Sequence, residues 1–171
     1  PFYGLAQLDT NFISELGVNV NKQDAQYYRL IDEARLELKD YDLHHTLRRL
    51  ETYNGKTFTI RQGPAKYFYP NGKLSQEGEY HKGIKTGEWK YYTHSGDKLV
   101  HKEIYEADDL VMHFFYDTIG GYLKAKGKAD KDGIKSGEWI EYHFRSDSVK
   151  WKNQYMAGKL HGEQIQYYRE G

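Results

Sequence analysis

The chain repeats itself, and that repetition constrains its fold more than any other feature. The segment Gly83-Ile84-Lys85-Thr86-Gly87-Glu88-Trp89 returns 50 residues later as Gly133-Ile134-Lys135-Ser136-Gly137-Glu138-Trp139. A weaker copy, Gly158-Lys159-Leu160-His161-Gly162-Glu163, lies a further 25 residues along. A worn copy fills the gap between the first two. Tyr80, Tyr105 and Tyr155 keep the 25-residue step, and the Trp89 position becomes Phe114, then Trp139, then Gln164. In the worn copy Asp108 and Met112 stand where its neighbours have glycine. Gly63, Tyr67, Tyr69, Gly72, Leu74 and Tyr80 extend the register upstream. Such a period means stacked supersecondary units, none of which can bury its own apolar face alone.

Each unit reads as a β-hairpin. Glu88-Trp89-Lys90-Tyr91-Tyr92 is a short aromatic strand, Thr93-His94-Ser95-Gly96 a turn, and Lys98 to Tyr105 the returning strand. Asn71-Gly72 is the clearest turn signal, and predicts a two-residue type I′ loop. Hairpins joined by turns this short continue one antiparallel meander. The expected fold is therefore all-β: about five tandem hairpins of about 25 residues in one elongated, twisted antiparallel sheet over 35–171. Residues 1–34 carry no repeat and are expected to be irregular or partly helical. Between 25 and 52 the spacing of Ala25, Tyr28, Ile31 and Leu38 suits a helix, while Leu36-x-Leu38 and the register of Leu47 favour strands from about residue 35. Gly4-Leu5-Ala6 before Gln7 has the small-x-small form that closes a secretory signal, so 1–6 reads as a signal remnant. Export to a bacterial periplasm or surface is one expectation, a cytoplasmic location the other.

Composition agrees with a sheet. Of 171 residues 38% are hydrophobic, and 17 Tyr match 17 Gly, so much of the apolar surface is flat, rigid and half polar. No apolar run approaches the roughly 20 residues of a membrane helix. Lys+Arg and Asp+Glu balance at 25 each, which gives no overall field for a nucleic-acid backbone. With no cysteine there is no disulfide, thiolate metal site or thiol nucleophile.

The run Tyr69-Pro70-Asn71-Gly72-Lys73-Leu74, then Gly78-Glu79-Tyr80, then Gly83 through Tyr92, resembles the variant MORN repeat, Y-x-N-G-K-L, G-x-Y, x-x-G-x-x-x-G-x-W-x-Y-Y. The resemblance covers roughly residues 41–171 and points to the bacterial antitoxin-like YwqK family. It implies hairpins stacked edge to edge and a non-enzymatic binding protein, and it supplies no catalytic residues.

No residue pattern calls for catalysis or a cofactor. Adjacent His44 and His45 point to opposite faces of a strand, and solvent-facing positions are expected for all eight histidines, with no metal. Asp130-Lys131-Asp132-Gly133 resembles a calcium loop but lacks its last carboxylate, because that position is Trp139, so a plain turn is expected. Gly121 to Gly127-Lys128-Ala129 misses a phosphate loop in spacing and lacks the magnesium-binding hydroxyl. Glu88, Glu138 and Glu163 recur once per repeat, whereas a catalytic group is normally unique; a cross-strand cation such as Lys90 is the expected partner.

The aromatic ladder is the candidate site: Trp89, Phe114 and Trp139 at equivalent positions, Tyr91 and Tyr116 two residues further on the same face, and Tyr142 opposite. Cross-strand ring pairs supply about 0.2–1 kcal/mol each to a sheet with no second layer. Rings left accessible would form a protein-binding surface. The expected function is a non-enzymatic protein-interaction scaffold, with an antitoxin or immunity protein for a cognate toxin, or an envelope lipid or glycan binder, as alternatives. The expected partner is another protein, with no nucleic acid, no membrane span and no cofactor. The last copy breaks off mid-repeat at Gly171, so edge-strand self-association is a further expectation.

Overall fold

A computed structural model describes residues 11–106 and 109–169. The signal-like residues 1–6, Asp108 and Gly171 lie outside the described residues. The chain is all-β, and it divides into two compact units, one ending at Ile84 and one beginning at Lys85.

The first unit holds β1 (Asn11–Ile13), β2 (Tyr27–Asp32), β3 (Glu37–Asp42), β4 (Leu47–Tyr53), β5 (Arg61–Phe68) and β6 (Leu74–His81), each antiparallel to the next. A 3-10 turn at Lys22–Asp24 is its single helical element among the described residues. The region read as helix or strand folds as the strands β2, β3 and β4 joined by short turns, and pairing begins upstream of residue 35. Tertiary pairing overrides the three-residue spacing of Tyr28 and Ile31, because β2 places Arg29 opposite Asp40 and Ile31 opposite Leu38.

That pairing builds a core that is partly ionic. Asp40 is buried between two guanidinium groups from neighbouring strands. Its Oδ1 accepts from Arg29 Nε at 2.7 Å, and its Oδ2 accepts from Arg49. Glu51, 1% exposed, lies two residues beyond Arg49 and opposite Leu38 and Ala65. Its carboxylate accepts the hydroxyls of Tyr53, at 2.7 Å, and Tyr67, with Arg61 Nη1 at 3.5 Å. A carboxylate so deep persists only because it is paired and hydrogen-bonded. Burial and the Glu51 hydrogen bonds together push the Tyr53 and Tyr67 phenols well above the ordinary range.

The second unit is the meander β7 (Ile84–Tyr92), β8 (Leu99–Tyr105), β9 (Leu110–Tyr116), β10 (Leu123–Asp130), β11 (Lys135–Tyr142), β12 (Val149–Met156) and β13 (Lys159–Gln166), again antiparallel in chain order. The hairpins expected from the repeat are present. The turn at Asn71-Gly72 differs in kind: Gly72 N–H donates to the Tyr69 carbonyl at 2.9 Å, and Gly72 (φ 77°) alone enters the left-handed region. A type I′ loop needs two such residues, and Pro70 fixes the ordinary negative φ at the first corner instead. The Asp130 loop is a turn as expected, its carboxylate accepting the backbone N–H of Asp132 and Ile134 at 2.9 Å each. Among the described residues no helix is long and apolar enough to cross a membrane.

Candidate functional site

The register of the second unit sorts its side chains onto two faces of different chemistry. On the first face one cross-strand row runs Trp89, Glu103, His113, Gly127, Trp139, Asn153, and the next runs Tyr91, His101, Phe115, Ala125, Glu141, Trp151.

Two of the rings read as a docking surface are sealed here. Trp89 is 0% and Trp139 5% exposed. Each lies beneath the lysine four residues before it, Lys85 Nζ 4.5 Å and Lys135 Nζ 4.2 Å from the ring centroids. The repeated Lys-x-Gly-x-Trp is thus an internal cation–π clamp, and its rings are core. Trp139 also crosses the strand before it. Its indole covers Gly127 and donates Nε1–H to the Lys128 carbonyl at 2.8 Å.

Phe114 is not in this row. The row-mate of Trp89 is His113, 24 residues on, and Trp139 follows 26 residues later. The cause is a bulge. Against β10, the partners of Gly127 and Lys128 are Trp139 and Ser136, so β11 carries Gly137 and Glu138 as extra residues, with Gly137 at φ 67°. The worn copy has Met112 at the glycine position, and β9 pairs with β8 without a break. A strict 25-residue clock therefore misses by one, and one residue along a strand means the opposite face.

The slip brings together a group that sequence reading left apart. His101 and Glu103 share a face of β8, and His113 on β9 is opposite Glu103. His101 Nε2 lies 3.0 Å from His113 Nδ1, which is 3.9 Å from Glu103 Oε1. The other oxygen, Oε2, accepts the Tyr91 hydroxyl, the Tyr105 hydroxyl at 2.9 Å and Lys85 Nζ at 3.4 Å. The His101 ring stacks on Phe115 at 4.4 Å and on Tyr91 at 5.1 Å between centroids. Burial lowers the pKa of both imidazoles, with the Lys85 charge acting the same way against Glu103. Burial pulls the Glu103 carboxyl upward, but the two phenols and Lys85 outweigh it and hold it below the usual range. At neutral pH the group is two neutral imidazoles and an ionised carboxylate. The expectation that every histidine faces solvent fails at His101 and His113, both half-buried, because strand parity turns them toward the clamped rings.

The second face carries lysines. Its central row runs Lys90, Lys102, Phe114, Lys126, Ile140, Lys152. Glu88 takes Lys90, on its own strand, at 3.0 Å and Lys102, on the next, at 3.1 Å, so the cross-strand cation expected of the repeated glutamate is found at Glu88. Lys102 Nζ sits 4.8 Å from the Phe114 centroid. Beside this row an open groove of about 440 Å³ has Leu110, Met112, Phe114 and Ile140 as its apolar lining, with Lys126, Lys128 and Glu138 as its charged groups, Lys128 Nζ lying 3.5 Å from Glu106. Phe114, Tyr116 and Tyr142 are half-buried, as is Tyr91 on the first face. Lys126-x-Lys128 shows this face in the sequence, since alternation puts both on one side of β10, whereas Lys124 falls at the irregularity between Leu123 and Ala125.

The chain matches no model of a known protein family and no curated protein.

Proposed function

We propose that the chain is a non-enzymatic interaction scaffold that captures an acidic, partly apolar segment of another protein on the lysine face of its second unit. The observation that carries this reading is the cross-strand row in which Lys102, Lys126 and Lys152 alternate with Phe114 and Ile140 above an open apolar groove. Strands about 4.8 Å apart set Lys126 and Lys152 about 10 Å from each other, a spacing that a chain lying across the strands meets with two carboxylates, while Lys102 is already held by Glu88. Phe114 and Ile140 offer apolar anchors between the charges, and lysines at the rim steer and orient the encounter. The sealed tryptophans serve as the support on which this face is laid. The resemblance to variant MORN repeats favours the same class of function, and the antitoxin reading is its narrower form.

The test is fluorescence anisotropy with a labelled peptide alternating Glu with Leu and Phe, and a matched peptide carrying Lys in place of Glu. The acidic peptide is expected to bind, with affinity falling as salt rises. Lys126→Glu with Lys152→Glu abolishes binding, and Phe114→Ala weakens it, with circular dichroism unchanged. Equal binding of both peptides, or binding untouched by the charge reversals, refutes the assignment. Tighter binding of a polyuronate than of the peptide overturns the protein partner in favour of an anionic glycan. Relief of a neighbouring toxin's lethality on co-expression, lost in the same double variant, supports the antitoxin form.

A further inference from the structure

We propose that His101, Glu103 and His113 form a binding site for a zinc-class divalent cation on the first face of the second unit, distinct from the lysine face. Two neutral imidazoles and one carboxylate are the donor set of three-ligand zinc sites, which leave the fourth position of the tetrahedron to water or to an incoming ligand. The three donor atoms lie within 4.8 Å of one another. Ligands about 2.0–2.1 Å from a tetrahedral zinc are roughly 3.4 Å apart. The His101–His113 pair at 3.0 Å therefore opens by a few tenths of an ångström and the carboxylate closes in, movements that side-chain torsions supply.

The surroundings are those of a prepared ligand set. Glu103 is held through Oε2 by two phenols and Lys85, which leaves Oε1 as the oxygen turned to the histidines. Outer-sphere hydrogen bonds of this kind orient a ligand and tune its basicity. His101 is fixed between Tyr91 and Phe115.

The two nitrogens of His113 differ in their surroundings. His113 Nε2 is buried and has no hydrogen-bond partner among the described residues. An unpaired buried polar atom costs about 1–3 kcal/mol. Coordination through Nδ1 leaves this Nε2–H in place, so its cost is the same with and without a metal. What the residue gains comes through Nδ1, which faces His101 and Glu103.

The test uses the full chain, freed of metal by chelator and titrated with Zn²⁺ by calorimetry and with Co²⁺ by visible absorption. One zinc per chain and the intense visible bands of tetrahedral Co²⁺ are expected. His101→Ala with His113→Ala abolishes both signals. Glu103→Gln, which keeps shape and most hydrogen bonds, weakens zinc at least about tenfold, and His44→Ala with His45→Ala, in the other unit, leaves it unchanged. Absence of the Co²⁺ bands overturns the proposal, as does zinc affinity that survives the His101/His113 double variant or disappears with His44 and His45. Should that double variant unfold, the decision passes to Glu103→Gln, where wild-type zinc affinity in a folded protein refutes the site.

Discussion

Replacing Gly127 by alanine tests the packing of the second unit at its tightest point. A Cβ built on Gly127 falls 2.3 Å from Cδ2 and 2.5 Å from Cγ of Trp139, well inside the 3.0 Å limit that real Cβ atoms respect. The obstacle is a rigid indole, 5% exposed, so it cannot swing aside as the tip of a lysine would. Forcing it away costs about 1–3 kcal/mol of overpacking strain. Displacement also strains or breaks the indole hydrogen bond to the Lys128 carbonyl, worth about 0.5–1.5 kcal/mol. Against this, alanine removes unfolded-state freedom and returns about 0.4–1 kcal/mol. The net loss is centred on about 2 kcal/mol. Urea unfolding followed by tryptophan fluorescence measures it, with a shift in the native emission as the indole moves. The loss should shrink when Gly127→Ala is combined with Trp139→Leu, because the second change removes the obstacle. A Gly127→Ala protein within about 0.5 kcal/mol of the parent, with unchanged emission, would refute the reasoning.

Two further outcomes follow from the buried polar groups. Glu51→Gln removes a charge that two phenols and Arg61 face, and should cost about 1.5–3 kcal/mol, read by urea unfolding. Ultraviolet titration should then show Tyr53 and Tyr67 ionising at lower pH. The sign follows from the raised native values: their contribution is present below the unfolded tyrosine pKa of about 10 and fades as pH rises beyond it, and the variant should lose less there. Asp117 accepts the N–H groups of Gly120 (2.7 Å), Ile119 (2.9 Å) and Tyr122 (2.7 Å), and these bonds hold its pKa low. Its contribution is present above the unfolded aspartate pKa of about 3.9 and is lost as pH falls through the native value, so Asp117→Asn should lower the melting temperature at pH 7 and flatten the acid limb of the melting profile.

The repeat made the hairpins legible because turn glycines and aromatic strands recur at fixed steps, and each step is local. What it hid depends on register. A bulge at Gly137 and its absence at Met112 decide whether Phe114 or His113 joins the Trp89 row, and a repeat count averages across that difference. The meeting of His101, Glu103 and His113 follows from the same pairing, so residues 12 apart in the chain looked unrelated. The ionic core of the first unit was hidden for another reason: a buried aspartate and a solvated one look alike in composition. Parity held the clue, since Asp40 is two residues from the buried Leu38 and so shares its face.

Within either unit every ladder joins strands that are consecutive in the chain. Loop closure is then always short-range, which favours fast zipping from any hairpin. The same wiring makes length an easy variable: deleting or duplicating one hairpin disturbs only the two seams beside it. A lineage could tune how many lysines or rings it displays by copying one ribbon, without reinventing the rest.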